Sequence, residues 1–84
     1  MTAMKSDFIT PAQCRAARAL LDMTQPDLAE RSGLGLSTVV DFEKSRRQVS
    51  DRAITELRTA LERAGIRFVQ KDTTVGVMTA KPKK

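Results

Sequence analysis

Residues 25–44 read QPDLAERSGLGLSTVVDFEK, and this run limits the fold more than any other part of the chain. Apolar side chains stand at Leu28, Leu34, Val39 and Phe42. A small residue, Ala29, falls where two helices have to cross closely, and Gly33 falls between them. The spacing describes two short helices joined by a tight turn that holds glycine, the unit known as a helix-turn-helix.

The flanking sequence supplies further elements. Thr10 followed by Pro11 reads as an N-cap and a proline at the first helical position. A first helix then runs about 11–22, with Cys14, Ala17 and Leu21 inward, Leu20 at the edge and Met23 plugging the corner. Thr24 caps a second helix over 25–32, with Asp27 in its first turn and Gly33 free to take the left-handed conformation that ends it. A third helix spans about 36–44 behind Gly35, with Val39 and Phe42 inward. Ser45 to Val49 is a basic loop. Ser50 caps a fourth helix over 51–64, whose stripe is Ile54, Leu57, Leu61 and Ala64. Beyond Gly65 the apolar period drops from 3.6 to 2, so 66–70 and 75–79 read as a β-hairpin turning through Lys71-Asp72-Thr73-Thr74. Residues 1–9 read as a flexible leader and 80–84 as a basic tail.

An 84-residue chain allows one domain. It buries only about 60–65% of its unfolded surface, so its stability margin is thin. Three Phe and no Trp or Tyr suit a helical core of Leu, Val, Ile and Ala. One cysteine rules out an internal disulfide, and the lack of histidine excludes a Cys/His nucleophile or a His-containing metal site. Glycine-rich phosphate loops and nucleophile motifs are also missing, so neither an enzyme nor a cofactor is expected. No small-molecule ligand is evident. With no apolar run of membrane-spanning length and no signal-peptide h-region, no membrane contact is expected and a reducing cytoplasm is the simplest compartment.

Charge is divided unevenly. Residues 1–43 carry four basic and six acidic side chains, whereas residues 44–84 carry eleven basic and four acidic. The cationic excess begins where the third helix ends, and a one-sided basic surface is the footprint of a polyanion binder.

Three sets of residues bring a family into view: Thr24-Gln25 with Leu28-Ala29-Glu30, then Gly33 before Ser37-Thr38-Val39, then Phe42-Glu43-Lys44. Residues 10–65 resemble the lambda/434 repressor and Cro class of helix-turn-helix domains, the xenobiotic-response-element type. The resemblance implies a mainly α fold, a four-helix lambda-repressor-like DNA-binding domain, here followed by the C-terminal β-hairpin. It implies that Gln25 donates to a phosphate, helped by free N–H groups at its helix start. It also implies a structural salt bridge between Arg18 and Glu43 that ties the first helix to the third. The third helix should present Leu36, Ser37, Val40 and Asp41 to base edges, with Thr38 near the backbone. Lys44, Arg46 and Arg47 should run along the sugar-phosphate chain.

The sequence departs from the family's habit at the base-facing positions. None of the four is Arg, Lys, Asn or Gln, the residues that make bidentate base contacts worth about 1–3 kcal/mol each. Asp41 can accept from a cytosine amine, Ser37 suits several bases, and Leu36 and Val40 suit thymine methyls. Asp41 also repels phosphate, unless Arg46 or Arg47 faces it.

A two-stranded hairpin is marginal alone and has unpaired edges. It is steadied either by folding on the fourth helix through Ile66 and Phe68 or by pairing with its own copy. The expectation carried forward is a homodimer built through Ile66, Phe68, Val75 and Val77, binding double-stranded DNA with two-fold symmetry. The function expected is a small sequence-specific repressor. The alternative is a protein-interaction module on the same scaffold, of antitoxin or anti-activator type, using Leu36 and Val40.

Overall fold

The computed structural model describes residues 8–79. Four helices come first: α1 (Pro11–Leu21), α2 (Gln25–Ser32), α3 (Leu36–Glu43) and α4 (Asp51–Arg63). Two antiparallel strands follow, β1 (Ile66–Lys71) and β2 (Thr74–Thr79). Among the described residues no helix is long and apolar enough to cross a membrane.

Local chemistry fixes the helix starts. The Thr10 hydroxyl accepts from the Gln13 backbone N–H while the Gln13 amide oxygen accepts from the Thr10 N–H. Thr24 and Asp27 make the same reciprocal box on α2, and the bonds from Thr24 hold the Asp27 carboxyl below its ordinary range. Ser50 accepts from the Ala53 N–H at the start of α4. Gly33 ends α2 at φ 75°, in the left-handed region. A Cβ there would meet nothing within 4 Å, so an alanine costs backbone energy alone. Gly33→Ala should lower the unfolding free energy by about 1–2 kcal/mol in urea melts; an unchanged midpoint would mean that the turn relaxes to another conformation.

Leu28, Val39, Cys14, Ala17, Leu57 and Leu61 are sealed in the core, and Ala29 lies buried beside them. The α4 stripe is rotated from the expected one. Ala53, Leu57, Ala60 and Leu61 face inward, leaving Ile54 half-buried, and Ala64, just past the helix, is half-buried as well. Two of the residues on this buried face are alanines, and α4 packs against α2, α1 and β1. The leader expected over 1–9 loses its end to the fold, because Ile9 is buried in the core and Phe8 is half-buried. Residues 1–7 and the tail at 80–84 lie outside the described residues.

The hairpin ladder pairs Ile66 with Thr79 through to Lys71 with Thr74, one pair further than expected. Asp72 turns the chain at φ 56°, a conformation that Asp tolerates better than most residues. The hairpin folds on its own subunit, with β1 against α4 and β2 against α1. Ile66 is 2% exposed and belongs to the core, and Phe68 and Val77 pack on it. The Arg58 guanidinium sits 5.5 Å from the centre of the Phe68 ring. The Gln13 amide donates to the Val69 and Gly76 carbonyls at 3.2 and 3.0 Å, a tie from α1 to both strands that no sequence pattern discloses. Ile66, expected at a contact with a copy, is thus taken up by the subunit's own core and has little surface left to bury, whereas Phe68 and Val77 are half-buried against that core. Val75 remains 52% exposed.

Candidate nucleic-acid interface

Helix α3 is short, and its inner face is Val39, Phe42 and Glu43. Its outer face holds Ser37 and Lys44, with Leu36 exposed beside them and Thr38, Val40 and Asp41 half-buried. Ser45 ends the helical path at φ 56°. The Arg46 N–H then donates back to the Asp41 carbonyl at 2.9 Å, a closure that reverses the chain. Lys44, Arg46 and Arg47, all exposed, are thereby set beside the outer face.

The inner face is held by one carboxylate. Glu43 is 1% exposed, and both its oxygens are filled. The Arg18 fork donates through Nε to Oε2 at 2.7 Å and through Nη2 to Oε1 at 2.6 Å. Gln25 Nε2 donates to Oε1 at 3.0 Å, and the Cys14 thiol donates to Oε2 at 3.1 Å. Arg15 donates to the Glu43 carbonyl at the helix end. Burial pushes the Glu43 carboxyl up, but the bonds from Arg18, Cys14 and Gln25 outweigh it and hold the group below the ordinary carboxylate range. Burial, with the Glu43 bond next, pushes the Cys14 thiol well above its ordinary value. Cys14 thus remains a neutral donor. The network clamps α3 to both α1 and α2, so it sets the angle at which the outer face is presented.

Several residues expected at the interface have partners within the subunit. The Gln25 side chain, expected to donate to a phosphate, is turned to Glu43. Asp41 bonds to Arg47 Nε at 2.8 Å and lies 4.0 Å from Arg46. Leu36 and Ser37 are exposed at the start of α3, behind a Gly35 cap that has no side chain to occupy the first N–H groups. Cys14 and Arg15 complete the Glu43 network, a role that sequence reasoning misses. The one available signal is spacing: Arg15 lies one turn before Arg18 on α1, which places both on one face.

A helix-turn-helix family model of the Cro/C1 type matches residues 15–64, more than half the chain. The protein belongs to this helix-turn-helix family. No curated protein matches it in sequence. Both α2 and α3 lie within the matched residues and follow the helix-turn-helix order, in which domains of this kind offer the second helix to DNA. The protein is accordingly a DNA-binding helix-turn-helix regulator.

Proposed function

We propose that this helix-turn-helix protein is a transcriptional repressor, occupying a two-fold symmetric DNA site as a homodimer with α3 in the major groove. The observation that carries the reading is the outer face of α3, clamped from behind by Glu43 and edged by Lys44, Arg46 and Arg47. Leu36, Ser37 and Val40 meet base edges, Thr38 lies near the backbone, and Lys44 and Arg46 supply phosphate contacts. Repression would follow from occupancy of the site itself.

Dimerisation is supported by the hairpin. Its sheet has two strands, so among the described residues each strand has one edge without a strand neighbour. Edge pairing with a copy makes a four-stranded sheet and places two recognition helices on one side of the duplex. Val75 and Met78 are the large apolar side chains exposed on β2. Sedimentation of the full chain should give a dimer that Val75→Lys dissociates. A monomer at every concentration, with DNA present or absent, contradicts the proposal.

Selection of bound duplexes from a random pool tests the function as a whole. A consensus with two inverted half-sites about one helical turn apart is expected; a pool that never enriches overturns the reading. Leu36, 46% exposed at the start of α3, is the observation that favours a protein partner instead. Failure to bind DNA, or binding that does not weaken with salt, would favour that reading.

A further inference from the structure

The strongest base contacts come from side chains that present two donors to guanine, or a donor and an acceptor to adenine. The base-facing positions of α3 hold Leu36, Ser37, Val40 and Asp41, and none offers such a pair. Asp41 adds a second difficulty, since a carboxylate on a face that meets phosphates is repelled by them.

One neighbouring side chain answers both. Arg47 lies beyond the helix, after the reversal at Ser45, and its side chain runs back along α3. Its Nε donates to Asp41 Oδ2 at 2.8 Å, and its Nη2 donates to Thr38 Oγ1 at 3.4 Å. Thr38 and Asp41 are three residues apart and share a face of the helix. The guanidinium is therefore laid across that flank with Nε occupied. Nη1, and the second N–H of Nη2, have no partner among the described residues, and the side chain is 51% exposed. Two adjacent N–H groups of this kind match the O6 and N7 acceptors of guanine in the major groove. Arg46 differs: it lies 4.0 Å from Asp41 and is 59% exposed, so it stays free to follow a phosphate.

We propose that Arg47, oriented by Asp41 and Thr38, is the residue through which this protein reads a guanine in each half-site. Arg47 contacts the base, and Asp41 is a positioning residue. The pair also neutralises the carboxylate that would otherwise face the DNA. A guanidinium already held in place loses less conformational freedom on binding than one free in solvent. The assignment rests on α3 entering the groove, as proposed above.

The test is random-pool selection with the full-length protein, its Arg47→Lys variant and its Asp41→Ala variant. Wild-type protein is expected to fix one guanine per half-site. Arg47→Lys keeps the charge and loses the fork, so the guanine preference should fall by about tenfold or more while non-specific affinity and its salt dependence hold. Asp41→Ala removes a negative charge, so non-specific affinity should hold or rise while guanine discrimination falls. Opposite movements of this kind are not expected of a residue that only supports the fold. An enriched consensus indifferent to Arg47→Lys overturns this assignment alone and makes Arg47 a phosphate contact. A pool that wild-type protein does not enrich overturns the groove reading and this assignment with it.

Discussion

Replacing Glu43 with alanine is expected to lower the unfolding free energy by about 3–5 kcal/mol. That is a large part of the roughly 4–12 kcal/mol available to a domain of this length. The loss comes from what is left behind. Arg18 has its fork on the carboxylate, and the Cys14 thiol and the Gln25 amide donate to the same two oxygens. Cys14 is sealed in the core and has no water to turn to. Unmade bonds at buried donors cost more than the net worth of the bonds themselves. Urea unfolding followed by circular dichroism measures the change. A loss below about 1 kcal/mol would place the Arg18–Glu43 bridge with ordinary surface pairs and contradict its role as the clamp on α3.

Acid supplies an independent check of the same group. The folded protein holds the Glu43 carboxyl below its unfolded value, so the folded state favours the charged form. Its contribution is fully present above the unfolded value of about 4.3 and is lost as the pH falls through the lower folded value. Wild-type stability should therefore decline in that acid window. Glu43→Gln should lack this component, with a correspondingly flatter profile; equal slopes for the two proteins would contradict the assignment.

Removing two cations beside α3 should weaken DNA binding more than any other surface change. Lys44 and Arg46 are both exposed, so Lys44→Ala with Arg46→Ala should leave the melting temperature nearly unchanged. Each cation withdrawn from a phosphate takes about 0.9 from the slope of log affinity against log salt. At 0.1 M salt the pair together amounts to roughly a 50- to 100-fold drop in affinity, with the slope shallower by about 1.8. The drop should be similar for selected and random duplexes, because phosphates carry no sequence. A slope equal to that of wild type would mean that the two side chains do not touch the backbone of the duplex.

Helix limits are legible in the sequence because they are set locally. Thr10, Thr24 and Ser50 act on N–H groups three residues away, and Gly33 acts on its own dihedral angle. The period change after Gly65 likewise marks the hairpin. What stays hidden depends on distant partners. Gln25 meets Glu43 across 18 residues, Cys14 meets it across 29, and Gln13 reaches Gly76 across 63. No periodicity encodes such pairings. The α4 stripe is hard to place because Ala53 and Ala60, both buried, carry little hydrophobic signal. The hairpin's inner face is legible as apolar. Its cover is not, since Ile66, Phe68 and Val77 serve equally well against a helix of the same subunit or a second copy.

Amide chemical-shift mapping of the full chain, titrated with a duplex from the selection, tests most directly whether α3 is the surface that meets DNA. Shifts are expected to concentrate on Leu36–Arg47 and the start of α2, strongest at Ser37, Asp41 and Arg47, with little change on the outward face of α4. Perturbation centred on the hairpin, with α3 silent at saturating duplex, would contradict the account.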